Sequence, residues 1–265
     1  MMQNSPQSAH DFRRFWIGQT ISNLGNSVTA FAVPLLIYKL TGSAFNLGLA
    51  VAIQTMPYLL FGLPIGAWVD RVDRKRLMIA TDLARGALLA SIPLLAAFGD
   101  LSIWWVYLVG FVNASVSIAF DAAQFAAVPS LVATDDLVTA NGRIQASYSA
   151  ATIVGPLIAG GLLALVPIER IFAIDAVSFV LSAASLRLVH RSFNAAAGAP
   201  AARTHIRHEI AEGLRYVASH PVLRTISIMT FLVNFVTISS FARLVLLAHE
   251  RLGASDRQVG AIFSA

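Results

Sequence analysis

The sequence predicts an all-α membrane protein, with an N-terminal bundle of six transmembrane helices followed by the opening of a second bundle. Three observations predict it. Of 265 residues, 57% are hydrophobic and 12% are charged, with a mean hydropathy of +0.70, against about 45–50% and about 25% in soluble domains. The charges are also clumped. The intervals from Arg14 to Lys39, Lys39 to Asp70, Asp100 to Asp121 and Arg143 to Glu169 each enclose at least 20 uncharged residues, and a helix needs about 20 residues to cross a hydrocarbon core. Finally, the basic residues concentrate in alternate connections, the mark of membrane topology.

Taken in order, residues 1–14 are polar. The apolar stretch after them exceeds the length of a signal-peptide core and lacks a small-residue cleavage site, so 15–38 is read as a retained first span. Further spans are expected at 47–69, 77–98, 103–127, 141–166 and 171–189, which completes an N-terminal bundle over residues 1–190. A linker is expected over 191–220. Its stretch 195–202 holds only Ala, Gly and Pro, and is flexible by composition. Ile206, Ile210, Leu214 and Val217 then recur at helical spacing among Arg207, His208, Glu209 and Glu212. That pattern suits an amphipathic helix on the membrane surface or a solvated helix between bundles. A seventh apolar run covers 222–247 and another begins at 259–263, so residues 221–265 are expected to open a truncated second bundle.

Of the 19 Lys and Arg residues, 14 fall on the side of Arg13, Arg14 and the 70–76 connection, and 4 (Lys39, Arg170, Arg251, Arg257) fall on the other. The N-terminus and linker are therefore expected to face the cytoplasm, in a cytoplasmic (inner) membrane. The net charge of +5 does not imply a nucleic-acid partner, because the basic residues form short knots between apolar runs rather than a solvated face. With zero cysteines, disulfides and thiolate sites are excluded. His205 and His208 lack a third ligand, and no nucleotide loop or catalytic triad pattern occurs. No cofactor, metal, enzymatic activity or obligate protein partner is expected.

Two motifs carry most of the functional signal. The connection after the second span places six charges in the seven residues from Asp70 to Arg76, one helical turn beyond Gly66. A basic knot is by itself a topology anchor. Here, however, a glycine permits close helix approach, and Asp70 beside Arg71, Arg74, Lys75 and Arg76 can form a charge lock kept in one conformation and broken in another. The fifth span carries Gly155, Pro156, Gly160 and Gly161 within an uncharged run. Glycines a turn apart let helices pack backbone to backbone in lipid, and proline bends a helix. The second span is interrupted in the same way by Pro57, Gly62, Pro64 and Gly66. In a three-plus-three inverted repeat the second and fifth helices are counterparts, and paired interruptions point to a transport path.

The 66–76 segment resembles the cytoplasmic signature loop of the major facilitator superfamily. Asp73 stands where the common form has glycine, and the resulting pattern is similar to the drug and siderophore exporter branch that includes macrolide efflux and enterobactin exporter-like proteins. Other segments agree in order: Phe12-Arg13-Arg14 with Gly18-Gln19, Leu40-Thr41-Gly42-Ser43-Ala44, Val128-Pro129-Ser130-Leu131-Val132, and Glu212-Gly213-Leu214-Arg215-Tyr216. The resemblance implies a major-facilitator fold of twelve spans, with this chain its N-terminal two-thirds. It also implies that the Gly155–Pro156 segment is an antiporter-like motif, and that the first and fourth helices line a central cavity.

Polar residues form one-faced stripes within the spans: Gln19, Asn23 and Asn26 in the first; Asn113, Ser117, Asp121 and Gln124 in the fourth; Gln145, Tyr148 and Thr152 in the fifth; Asn234 in the seventh. Lipid would leave amides unsatisfied, so these faces look at protein or water. They are candidate cavity residues, the alternative being interhelical glue. Asp121 and Asp175 are candidate coupling residues. Asp82, with Arg85 at i+3, reads as a structural pair. Asn26 stands where similar exporters often carry an acid.

The expected function is secondary export of hydrophobic or amphipathic small molecules by alternating access, driven by proton antiport. The rival is a non-transporting membrane scaffold or sensor of the same fold, separated from it by gradient-dependent efflux.

Overall fold

The computed structural model describes residues 6–194, 206–233 and 236. The chain divides into two compact units, Met1–Ile206 and Arg207–Ala265. In the first, six long helices run back and forth: α1 (Pro6–Thr41), α2 (Ala44–Val69), α3 (Arg74–Phe98), α4 (Ile103–Leu131), α5 (Leu137–Leu163) and α6 (Ile168–Arg187). In the second, α7 (Ile206–Ser219) leads into α8 (Pro221–Val233). Half of the expected seventh span, at 222–247, therefore lies outside the described residues.

The helix ends follow local chemistry. Ser102 caps α4 by accepting from the Trp105 amide, and Asp73 caps α3 by accepting from the Arg76 amide. Gly99 ends α3 at φ +81°, a left-handed position that glycine adopts without a Cβ clash. Prolines lie within five of the six helices, including Pro57 and Pro64 of α2 and Pro156 of α5.

Helix neighbours obey an internal symmetry. α1 packs on α5 and α6, α4 packs on α2 and α3, and α3 packs on α6. Exchanging α1, α2 and α3 for α4, α5 and α6 leaves this pattern unchanged, as a three-plus-three repeat requires. Two apolar clusters fill the bundle toward its two ends. One is built around Leu36, Ile92, Ile171 and Phe172, the other around Phe15, Met78, Leu131 and Leu186.

The six helices expected of the N-terminal bundle are present; α1 to α5 are long and apolar enough to cross a membrane by composition alone. α6 carries Glu169, Arg170 and Asp175 in 20 residues. It tolerates them because it is wedged between α1 and α3, so much of its circumference never meets lipid. At the other end of the bundle's sequence, α1 begins at Pro6 and so takes in part of the polar segment ahead of the expected first span. Phe12 and Phe15 are buried, with the Phe15 ring 6.0 Å from Phe193, and Asp11 Oδ2 accepts from the backbone amides of His190 and Arg191 at 3.2 and 3.0 Å.

Candidate functional site: a polar cavity within the bundle

Five helices enclose a cavity of about 530 Å³, within the usual range for small-molecule sites. The α1 stripe supplies Gln19, Asn23 and Asn26; α4 supplies Ser117, Asp121 and Gln124; α5 supplies Gln145, Tyr148 and Thr152. Helical spacing alone places each set on one face, and the bundle turns these faces together. Among the lining residues not expected from the sequence are Tyr58 from α2 and Arg85 from α3, helices for which no cavity residue was expected.

The seam between α1 and α5 holds one wall. Trp16 Nε1 donates to Ser147 Oγ at 2.8 Å, Thr20 Oγ1 donates to the same oxygen at 3.1 Å, and Gly155 lies against Ser27 so closely that a Cβ would overlap the serine. The seam between α1 and α6 holds another. Gln19 Nε2 donates to Ser182 Oγ at 3.1 Å, and Gly18 and Gly25 leave room only for the α6 side chains Ser185, Asp175 and Ser178.

The remaining sequence candidates separate by position. Asn113 does not line the cavity but accepts from Arg85 Nε at 3.3 Å. Asp121 lines the cavity, whereas Asp175 is fully buried against Gly25, accepting from Ser178 Oγ at 2.9 Å. Asn234 lies outside the described residues. The expected pair of Asp82 with Arg85 is not made. Asp82 is fully buried beside Ser182 and makes no ion pair with Arg85, whose guanidinium reaches Asn26 and Asn113 instead. The amides of the first and fourth helices outcompete a neighbour on the same helix because they lie across the cavity wall. Asn26 and Asn113 belong to stripes visible in the sequence, and a lone arginine within the third span was the available clue to their partner.

At one end of the bundle sits the charged connection. Arg74 is 7% exposed. Its Nη2 pairs with Asp70 Oδ1 at 3.1 Å, and its Nη1 donates to the carbonyls of Ala126 at 3.1 Å and Phe193 at 3.4 Å. Lys75 Nζ donates to the Val189 carbonyl at 2.6 Å, and Asn194 bridges the Val72 carbonyl and the Arg74 amide. Arg74 and Lys75 therefore bolt α3 to the ends of α4 and α6. The Asp70 and Arg76 side chains remain 69% and 88% exposed, and Arg71 is exposed as well.

Beside them, a groove of about 500 Å³ runs between α2 and α4, bordered by Gly66, Asp70, Arg74, Phe125 and Pro129. The expected close helix approach at Gly66 is not made by any described residue, since a Cβ there would meet nothing within 4 Å. The same openness holds at Gly160 and Gly161, so of the α5 glycines only Gly155 is a packing contact within the bundle. The opposite end is closed by Lys39 Nζ on Glu169 Oε1 at 2.8 Å.

With this geometry in place, comparison with known proteins is direct. The family model described as Major Facilitator Superfamily matches residues 15–265. Macrolide efflux protein A of Streptococcus pyogenes is 32% identical over 179 residues, 67% of this chain and 44% of that protein. Multidrug efflux pump Tap of Mycolicibacterium fortuitum is 28% identical over 211 residues, 77% and 51%. The uncharacterized MFS-type transporter YfiS of Bacillus subtilis is 27% identical over 244 residues, 91% and 57%. The chain spans about half the length of these curated relatives. The repeat-symmetric helix packing, the membrane-length apolar helices and the match over nearly all of the sequence have one conclusion: this chain is an integral membrane protein that belongs to the Major Facilitator Superfamily.

Proposed function

We infer that the protein is a secondary active transporter exporting hydrophobic or amphipathic small molecules by alternating access, with protons as the counter-ion. The observation that carries this reading is the polar cavity inside a bundle whose outer faces are apolar. Amides from α1 and α5 and the Asp121 carboxylate meet in one space, where hydrogen-bonding groups are costly unless protein, water or a ligand satisfies them. The relatives named for macrolide and multidrug efflux support the direction of transport.

In this reading residues 1–190 form the first of two bundles, 191–220 the cytoplasmic linker and 221–265 the start of the second, in a cytoplasmic membrane with the N-terminus inside. Asp121 is the favoured coupling carboxylate because it is the candidate acid that meets the cavity, while Asp175 is sealed in a helix seam. The exposed members of the charged loop, Asp70, Arg71 and Arg76, form the gate. The test is efflux of a drug panel from cells making the full-length protein, with and without dissipation of the proton gradient. Accumulation that rises on uncoupling supports the reading, and accumulation that never responds overturns the antiport.

A further inference from the structure

Arg85 is the one basic side chain among the described residues lining the cavity. It is 6% exposed, and an arginine placed at the centre of a membrane helix costs about 2.5–3.5 kcal/mol on insertion scales. Intramembrane charges are ordinarily neutralised by a carboxylate, and among the described residues none comes within ion-pairing distance of Arg85. Asp82 and Asp175 are sealed between helices, and Asp121 shares the cavity without pairing.

The arginine is gripped instead by neutral groups. Nη2 donates to Asn26 Oδ1 at 2.8 Å and Nε to Asn113 Oδ1 at 3.3 Å. The guanidinium carbon lies 4.1 Å from the centroid of the Phe179 ring and 5.9 Å from that of Phe120. Two amides and two rings from α1, α4 and α6 thus fix its plane, while the carboxylates of Asp82, Asp175 and Asp121 act on its charge from beyond pairing distance. Among the described residues no acceptor takes a hydrogen bond from Nη1, and Arg85 lines the cavity.

A rigid guanidinium with an unclaimed N–H edge is a pre-organised receptor for a planar anion, because little ordering remains to be done when the ligand arrives. We propose that Arg85 is the anion-recognising centre of this cavity, selecting amphipathic small molecules that carry a carboxylate or a similar anionic group. The apolar body of such a ligand rests on Phe120, Ile144 and Tyr148, and Asp121 repels a second negative charge, which favours monoanions. The proposal rests on the transport reading for its purpose but not for its test, since binding is measured without a gradient.

The probes are dansyl-leucine, which has an apolar dye and a carboxylate, and dansyl-leucinamide, identical but uncharged there. Binding to the purified full-length protein in detergent is read from dansyl fluorescence. A charge-assisted hydrogen bond supports a preference for the acid over the amide of about tenfold or more. Arg85→Gln should bring that ratio close to one, and Arg85→Lys, which keeps the charge but loses the fork, should fall between. Arg170→Gln, at an exposed helix end, should keep the wild-type ratio.

A wild-type protein that binds neither probe or does not distinguish them, or an Arg85→Gln variant that retains the preference, overturns the proposal. If Arg85→Gln does not elute as a folded species, Arg85→Lys decides, a several-fold drop in the ratio supporting the subsite and an unchanged ratio removing it. A preference lost at Arg85 in a protein that shows no gradient-driven efflux would leave the subsite standing while the transport reading falls. Gradient-driven efflux without the preference would do the reverse.

Discussion

Substitution of Gly155 by alanine separates a packing glycine from an open one within a single motif. A Cβ at position 155 would overlap Ser27 Cβ and lie 3.1 and 3.3 Å from the Ser27 carbonyl carbon and Cα. The nearest obstacle is a side-chain carbon, but the other two are backbone, so no rotamer change relieves the contact and α5 must withdraw from α1 by several tenths of an ångström. Overpacking of this kind costs about 1–3 kcal/mol, while replacing a mid-helix glycine by alanine returns about 0.5–1 kcal/mol. The net expectation is a loss of about 1–2 kcal/mol, aggravated if the Trp16–Ser147 bond at 2.8 Å on the same seam lengthens. At about 2–4 °C per kcal/mol for a domain of this size, Gly155→Ala should melt several degrees below the wild type. Gly160→Ala and Gly161→Ala meet nothing within 4 Å in the bundle and should be neutral or slightly stabilising. The assay is thermal unfolding in detergent, followed by size-exclusion of the heated protein. A Gly155→Ala variant as stable as Gly160→Ala would refute the reasoning, because it would mean that α1 and α5 do not meet at Ser27.

Two further substitutions probe the ends of the bundle. Asp11→Ala removes a 4% exposed carboxylate that accepts from the His190 and Arg191 amides. It should lower stability by about 1–3 kcal/mol, visible as earlier unfolding and faster proteolysis between α6 and α7. Lys39→Met breaks a pair whose lysine side chain is 57% exposed. A partly exposed ion pair contributes about 1 kcal/mol or less, so a double-mutant cycle with Glu169→Gln should give a coupling energy within that limit.

The bundle was legible because hydrocarbon imposes its demand residue by residue: intervals without charge mark spans, and amides that recur at helical spacing mark a protected face. The stripes of α1, α4 and α5 turn toward one cavity, Asn113 excepted. The failures share a cause, which is that partners were sought along the chain when the fold supplies them across it. Arg85 was assigned to Asp82 three residues away, yet it bonds Asn26 and Asn113, which are remote in sequence. Asp11 looked like part of a polar leader because the amides that occupy it lie some 180 residues downstream, at His190 and Arg191. Asp175 was grouped with Asp121 on composition, and only the placement of Gly25 shows that one is sealed and the other faces the cavity.

Whether the charged connection anchors the bundle or gates a path can be tested on different residues, because their burial differs. Arg74 serves the bundle. Its side chain is 8% exposed, and Arg74→Gln would withdraw a donor from the Ala126 and Phe193 carbonyls as well as from Asp70, a loss of about 2–4 kcal/mol. Asp70 is different. Its side chain is 69% exposed, and Arg74 keeps both carbonyl partners when the aspartate is neutralised, so Asp70→Asn should cost about 1 kcal/mol or less. A gate made of charge has no such insulation, because its closed state depends on the carboxylate itself. Asp70→Asn should therefore unfold near the wild-type temperature yet lose drug efflux by about tenfold, the effect of roughly 1.4 kcal/mol on a conformational equilibrium, whereas Arg74→Gln should lose both. Wild-type efflux by Asp70→Asn would confine the whole connection to anchoring, and an Asp70→Asn variant as unstable as Arg74→Gln would show that Arg74 does not hold its two carbonyls independently of Asp70.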